Sequence, residues 1–157
     1  MKFVFLCIGK PHDASLKAAI DDFTQRAHRY YPVKWMILPP LKNAGQLSEA
    51  ELKKKEGQMI LDNLSSDDTL VALDERGKSY SSETLAKFIQ SRANESCKQV
   101  VFLIGGAFGI DSAVMQKAKF HWSLSDLTFP HQLVRLILAE QIYRACTILR
   151  NEKYHHI

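Results

Sequence analysis

Hydrophobic and polar positions along the chain form two kinds of segment, short apolar runs and longer stretches with helical spacing. The apolar runs are bounded by turn residues, which is typical of buried strands. They predict strands over 3–8, 33–38, 69–73, 99–104 and 122–129. The helical spacing predicts helices over 14–30, 48–64, 81–93 and 111–119, with Ser48, Ser81 and Asp111 as N-caps. Alternation of this kind predicts an α/β fold with a parallel sheet between two helical layers, as in Rossmann-like proteins.

A last helix, from Pro130 to about Arg150, differs from the others because apolar residues lie on almost every side of it. A surface helix keeps one polar face, so we expect this one to be buried centrally or covered by a partner subunit. The polar side chains set into it are His131, Arg135, Glu140, Tyr143 and Arg144. Such groups are rarely buried unless they form an ion pair or have a functional role. Because Glu140 and Arg144 are four residues apart, a structural ion pair and a functional role both stay open.

Length and composition favour one globular domain. A chain of 157 residues, 46% of them hydrophobic, predicts a single domain over residues 1–157. No apolar run is long enough for a membrane helix, and the apolar N-terminal stretch lacks a small-residue cleavage site, so we expect a cytoplasmic protein. Three scattered cysteines favour reduced thiols over a disulfide framework or a zinc site.

The net charge is mildly positive. The 21 basic and 17 acidic residues give +4 at pH 7, which permits an RNA partner without requiring one. A dense run of charge lies at Lys53, Lys54 and Lys55. A solvated helix face is the commoner meaning of such a run, and an RNA contact is the alternative.

Open parallel sheets bind ligands at the carboxyl ends of their strands. Here Leu73 ends the third predicted strand, and Gly105, Gly106 and Gly109 follow the fourth. These glycines would let a ligand approach the backbone closely, although an ordinary tight turn also uses them. The dinucleotide motif G-x-G-x-x-G and the P-loop lysine are missing, which disfavours the common phosphate-binding classes.

The histidines and the C-terminal tail supply other candidates. Six histidines occur without the spacing of a metal site, and the G-x-S-x-G elbow of a hydrolase is missing, so we expect no metal. The polar tail contains Tyr154 and His155. It either frays, as tails usually do, or folds back over the same pocket as Arg144. An aromatic and cationic set of this kind suits a stacked base and a phosphate.

Several motifs become specific when their order and spacing are considered together. They are L-D-E-R-G-K-x-x-S-S-E at 73–83, I-G-G-x-x-G at 104–109, L-S-x-L-T-F-P-H at 124–131, R-x-x-x-x-E-Q-x-Y-R-A at 135–145 and Y-H at 154–155. Over its whole length the chain resembles the RlmH family of SPOUT methyltransferases, which methylate N3 of a pseudouridine in large-subunit ribosomal RNA.

This resemblance implies features that the residue pattern alone does not give. The implied fold is a deep C-terminal trefoil knot over about residues 70–157, whereas true knots are otherwise nearly absent. The implied methyl donor is S-adenosylmethionine, held in the knot by Leu73, Gly105, Leu124, Ser125, Asp126, Leu127, Thr128 and Phe129. The implied partners are a second copy of the chain, which shares the active site, and the ribosome with its 23S RNA, rather than DNA or a membrane.

The resemblance also implies catalytic roles. His131 or Glu140 would accept the proton that leaves the base, or would orient a basic group. Arg144 would contact the base carbonyl or a phosphate, and Tyr154 and His155 would hold the nucleotide. The chain departs from its relatives in two places: Asp126 puts an acid in the cofactor segment, and His156 stands where many relatives have a basic residue.

Two alternatives remain open from the sequence. A non-catalytic module that binds a nucleotide or RNA would account for the loop glycines and the mild charge, but not for the charged residues in the last helix. A knotted methyltransferase with another RNA target, such as a transfer RNA, would account for all of them.

Overall fold

The computed structural model describes residues 1–156, and within them five strands alternate with five α-helices. The strands are β1 (Lys2–Ile8), β2 (Val33–Leu38), β3 (Thr69–Ser79), β4 (Gln99–Ile104) and β5 (Phe120–Ser123). The helices are α1 (Ala14–His28), α2 (Glu49–Asp62), α3 (Ser82–Asn94), α4 (Ser112–Lys117) and α5 (His131–Leu149), with a 3₁₀ turn at Ala44–Gln46. The strands are parallel, in the order β2-β1-β4-β3-β5, which confirms the predicted α/β fold.

The interior strand β1 shows how an apolar run contributes to the core on both faces of the sheet. Phe3 and Phe5 are buried in the core that includes residues of α1, α3 and α5. Val4 and Leu6 are buried in the core that includes residues of α2 and α4. Successive side chains of a strand point to opposite faces, so a strand between two helical layers must be apolar at every position.

The predicted N-caps are confirmed. The side chains of Ser48 and Ser81 accept hydrogen bonds from backbone amides three residues later, at 3.2 and 3.1 Å. Asp111 accepts one from the amide two residues later, at 3.1 Å. These bonds satisfy amides that have no partner inside the helix and fix the start of each helix. Three helix ends were predicted two residues too late: α1 ends at His28, α2 at Asp62 and α4 at Lys117.

The fifth strand was predicted wrongly over 122–129, because β5 begins at Phe120 and ends at Ser123. After Ser123 the chain follows local hydrogen bonds instead of the sheet. The Ser123 hydroxyl donates to the carbonyl of Ser125 at 3.1 Å, and the Ser125 hydroxyl accepts from the amide of Leu127 at 2.9 Å. Serine side chains that bond to nearby backbone compete with sheet pairing in this way. Residues 124–130 are therefore an irregular segment.

The third strand is longer than the predicted 69–73. It pairs with β5 at Leu73 and Trp122, then changes register and pairs again at Lys78 and Trp122. Gly77 lies at this irregularity, where a Cβ would be 2.7 Å from the backbone carbonyl of His121. The absence of a side chain at Gly77 therefore allows the close approach of β5.

Helix α5 packs between α1 and α3 on one face of the sheet. Leu138, Ala139 and Ile142 are completely buried there, which confirms central burial for one side of the helix. On another side, apolar residues remain only half-buried within one chain: Leu133, Leu136 and Ile137. The three cysteines are free, and burial raises the pKa of Cys146 to about 12. Within residues 1–156, no helix has the length and apolar character needed to cross a membrane.

Candidate active site

A cavity of about 650 Å³ opens beside residues 73–76 of β3 and the carboxyl ends of β4 and β5. Small-ligand sites usually measure about 300–1,000 Å³, so this cavity can hold a nucleoside-sized molecule. Seven of the eight predicted cofactor-binding residues line it: Leu73, Gly105, Leu124, Ser125, Leu127, Thr128 and Phe129. Asp126 is exposed and does not line the cavity, so its acidic group stays outside the pocket wall.

The glycine loop after β4 serves both as a tight turn and as a pocket wall. The amide of Gly109 donates to the carbonyl of Gly106 at 3.1 Å, and Gly109 has a φ of +90°, a backbone conformation that favours glycine. At Gly105 a Cβ would lie only 2.6 Å from Cγ1 of Ile110. The tight turn expected from these glycines is therefore present, and the same loop lines the cavity.

The irregular segment 124–129 forms the opposite wall. Its residues make no backbone–backbone hydrogen bonds with other described residues. Apart from the Ser125 carbonyl and the Leu127 amide, which bond to serine side chains, their amides and carbonyls can bind a ligand or water. The pocket rim also exposes two large apolar side chains, Leu127 at 72% and Phe108 at 47%. Exposed apolar groups beside a cavity are typical of surfaces that a ligand or partner covers.

Two buried ring nitrogens at the pocket have no hydrogen-bond partner among the described residues. They are Nε1 of Trp122 and Nε2 of His131, and both residues line the cavity. Burial, and then the positive charge of Arg135, lowers the pKa of His131. The imidazole is therefore neutral at pH 7 and offers one free nitrogen for a hydrogen bond or a proton.

Arg135 lies one helical turn beyond His131 and is 1% exposed. Its Nη1 lies 3.2 Å from Nδ1 of His12, its Nε has no partner, and no carboxylate pairs with it in the part of the chain described. Burial and Arg135 together lower the pKa of His12. Arg135 thus places an uncompensated positive charge behind the pocket.

The other candidate catalytic residues form a second group, here called the tail cluster: Glu140, Arg144, Tyr154, His155 and Glu83 of α3. Arg144 donates to Oε1 of Glu140 from Nε at 3.0 Å and from Nη2 at 2.5 Å, so the predicted ion pair is present. The Tyr154 hydroxyl donates to the same oxygen at 2.9 Å. The Arg144 guanidinium also lies 4.7 Å from the centre of the Tyr154 ring.

The tail therefore folds back on α5 instead of fraying. His155 binds between two helices: its Nε2 lies 2.8 Å from Oε1 of Glu83, and its Nδ1 lies 3.4 Å from Nη1 of Arg144. The pKa of Glu83 is lowered to about 2 by a hydrogen bond from its own backbone amide, and then by His155 and Ser81. His156 is exposed beyond the cluster.

The tail lies beside Arg144, as one of the two sequence alternatives had it, but the tail cluster does not lie at the cavity of its own chain. None of its members lines the cavity. Along α5, Glu140 lies nine residues after His131, and Arg144 lies thirteen residues after His131. On a helix these separations correspond to about 13 Å and about 20 Å along the axis. One chain thus presents the predicted site as two separate halves.

Sequence reasoning missed two basic residues of the pocket, Arg76 and Lys53. Arg76 lines the pocket and forms an ion pair at 3.2 Å with Asp74, which also lines it, and this pair lowers the pKa of Asp74. Arg76 lies in the motif at 73–83, so its position near Leu73 was available as a signal. Lys53 also lines the pocket, although it belongs to α2, outside the motif at 73–83.

Comparison with known proteins gives the family. A family model described as "Predicted SPOUT methyltransferase" matches residues 1–155. The chain belongs to the SPOUT methyltransferase family. As a SPOUT methyltransferase, it carries the knotted form of the parallel α/β fold, which confirms the fold implied by the motifs.

Curated relatives agree with this family over their full length. Proteins named ribosomal RNA large subunit methyltransferase H from Flavobacterium johnsoniae and Christiangramia forsetii are 45% and 43% identical to this SPOUT chain over 156 residues, covering 99% of both sequences. The protein of that name from Cytophaga hutchinsonii is 42% identical, covering 99% of this chain and all of its own. The similarity therefore includes the pocket and the tail cluster.

Proposed function

We propose that this protein transfers a methyl group from S-adenosylmethionine to N3 of a pseudouridine in the 23S RNA of the large ribosomal subunit. The cavity carries the proposal, because the segments after three strands converge on it in a SPOUT methyltransferase. The names of the full-length relatives support a ribosomal RNA target. The position of the methyl group on the base rests on the RlmH resemblance.

The residues at the cavity fit this donor. Apolar walls from Leu73, Leu124 and Phe129 suit an adenine ring, and the free backbone groups of 124–129 can bind its nitrogens. Gly105 lines the cavity, so its backbone can lie directly against a ribose. Among the described residues no group of histidine, cysteine, aspartate or glutamate has the geometry of a metal site, and the proposed chemistry uses none.

The chain's own residues would position the base and handle one proton. When bound, the donor supplies an electrophilic methyl group, which is chemistry of the cofactor and not of the protein. The N3 proton of the base must leave as the new bond forms. His131 is suited to accept it, because its imidazole is neutral and Nε2 is free. Glu140 is the alternative acceptor, although Arg144 and Tyr154 already bind its carboxylate.

A homodimer would unite the two halves of the site. Within one chain the pocket and the tail cluster are separate, and α5 leaves Leu133, Leu136 and Ile137 half-buried. A two-fold dimer can cover that apolar side and set the tail cluster of one subunit against the pocket of the other. Arg144, Tyr154 and His155 would then hold the nucleotide that enters the pocket of the partner subunit.

Three further features belong to the same proposal. The protein would act in the cytoplasm, where its ribosomal substrate is assembled. Residues 1–157 would form a single domain, and about 70–157 would make the knot. The last residue of both ranges, Ile157, lies outside the described residues.

Methyl transfer to ribosomes tests the proposed function. Purified protein would be incubated with isotope-labelled S-adenosylmethionine and ribosomes from cells that lack the enzyme, and labelled nucleosides would be identified by mass spectrometry. The expected product is N3-methylpseudouridine in large-subunit RNA. Arg144→Ala should abolish turnover but retain donor binding, whereas Arg150→Ala, at an exposed position after α5, should remain active.

The other outcomes distinguish the alternatives. Donor binding without label in ribosomal RNA would indicate a SPOUT enzyme with another RNA target. No donor binding would leave a non-catalytic module that binds a nucleotide or RNA, and would contradict the proposal.

A further inference from the structure

Helix α2 reaches the pocket although no motif predicted it. Lys53 lines the cavity, and its Nζ lies 4.0 Å from the position of a Cβ on Gly109. Its neighbours Lys54 and Lys55 are exposed and do not line the cavity. The packing of α2 therefore selects one lysine from the charge run and directs it to the glycine loop.

Glu56 lies on the same face of α2, three residues after Lys53. Its Oε2 and Oε1 lie 2.6 and 3.3 Å from the position of a Cβ on Gly106. Any side chain at Gly106 would displace this carboxylate. Gly106 lines the cavity and Glu56 itself does not, so the carboxylate lies against the glycine loop that forms the pocket wall.

The two charges are held near the pocket without partners. Neither Lys53 nor Glu56 forms an ion pair with any residue in 1–156, although a glutamate and a lysine three apart on a helix often pair with each other. Partial burial raises the pKa of Glu56, so the carboxylate has lost some of its solvation without gaining a cation. Two unpaired, opposite charges beside one cavity are suited to a ligand that carries both signs.

We propose that Lys53 and Glu56 form a zwitterion site for the amino-acid end of the methyl donor. Lys53 would bind the α-carboxylate and Glu56 the α-ammonium group. This inference rests on the proposed function, which places S-adenosylmethionine in the cavity. An RNA phosphate fits less well, because Glu56 would repel the anion that Lys53 attracts.

Two nucleosides that differ at one end test the site. S-adenosylhomocysteine retains the amino-acid end, whereas 5′-methylthioadenosine keeps the adenosine and sulfur but ends in a methyl group. Dissociation constants for both would be measured by isothermal titration calorimetry on the full chain. The variants are Lys53→Met, which keeps the aliphatic stem, and Glu56→Gln, which keeps the shape of the side chain. Lys54→Met is the matched control.

The expected result is a selective loss. Each variant should lower the affinity for S-adenosylhomocysteine roughly tenfold or more, which is the effect expected when a hydrogen bond to a charged group is lost. Binding of 5′-methylthioadenosine should stay within about twofold of wild type, because its contacts do not involve α2, and that unchanged value also shows that the variant has folded. Lys54→Met should leave both affinities unchanged.

Three results would overturn the inference. If wild type binds both nucleosides equally, the amino-acid end makes no contact, although donor binding and the proposed function survive. If the variants bind both nucleosides normally but lose methyl transfer to ribosomes, Lys53 or Glu56 contacts RNA instead. If wild type binds neither nucleoside, the proposed function fails and this inference fails with it.

Discussion

Replacing Gly105 with alanine should disturb both the fold and the pocket. The added Cβ would lie 2.6 Å from Cγ1 and 3.3 Å from Cδ1 of Ile110. Ile110 is only 6% exposed and packs in the core with α2 and α4, so it has little room to move. The φ of Gly105 is not in the left-handed region, and the cost is therefore steric rather than conformational.

The size of the effect follows from the packing. Forcing an extra methyl group into a packed site costs about 1–3 kcal/mol. Alanine offsets about 0.4–1 kcal/mol of this by restricting the unfolded chain. Since 1 kcal/mol corresponds to roughly 2–4 °C for a protein of this size, Tm should fall by roughly 4 °C at mid-range values, and by at most roughly 10 °C, in scanning calorimetry. Affinity for S-adenosylhomocysteine should fall as well, because any shift of the loop moves the pocket wall.

Two variants separate this steric effect from a general effect of alanine. Gly45→Ala is the control, because a Cβ there meets nothing within 4 Å. Its affinity should equal that of wild type, and its Tm should be roughly 1–4 °C higher, because alanine restricts the unfolded chain. Adding Ile110→Ala to Gly105→Ala removes both crowded atoms, so the double variant should lose less stability than the sum of the single variants. A Gly105→Ala protein with the Tm and affinity of Gly45→Ala would refute the steric argument.

Three other substitutions have clear expected outcomes. Gly77→Ala should lower Tm more than Gly105→Ala, because its Cβ would meet the backbone of His121 rather than a side chain; an equal or smaller decrease would contradict this. Arg135→Met should leave the free energy of unfolding in urea unchanged or higher, since it removes an unpaired buried charge, and a clear loss would show that the guanidinium stabilises the fold. The pKa of Glu83 is lowered to about 2, so its carboxylate stabilises the fold above its ordinary pKa near 4.5, and this contribution is lost as pH falls toward 2. Glu83→Gln should therefore be less stable than wild type at pH 7, and the difference should vanish in acid; a difference independent of pH would exclude this linkage.

The sheet was predictable because each strand of a doubly covered parallel sheet is an uninterrupted apolar run. The error at β5 has a physical cause that no such run reveals. Where β3 changes register beside Trp122, pairing ends at Ser123, and Ser125 supplies local hydrogen bonds instead. Strand propensity in 124–129 was thus overridden by the pairing of a neighbouring strand and by side-chain bonds to the backbone.

The site was predictable only in part. The segments that follow strands had to meet at one edge of the sheet, so Leu73, Gly105 and the 124–129 segment could be placed together. The fold-back of the tail onto Arg144 depends on long-range contacts with Glu83 and Glu140, which sequence spacing does not reveal. The position of Lys53 depends on how α2 packs over the glycine loop, and the charge run gave no means of choosing among three lysines.

The shared active site is tested most directly by methyl transfer from a purified heterodimer that carries one damaged half on each subunit. One subunit would carry Thr128→Trp, which fills the pocket from an exposed position, and the other Arg144→Ala; two affinity tags would isolate the mixed dimer. Each variant homodimer should be inactive. If the pocket of one subunit works with the tail cluster of its partner, the heterodimer retains one intact site of two and about half of the wild-type rate. An inactive heterodimer that still binds the donor would mean that both halves must lie on the same chain, and would contradict the proposed two-subunit site.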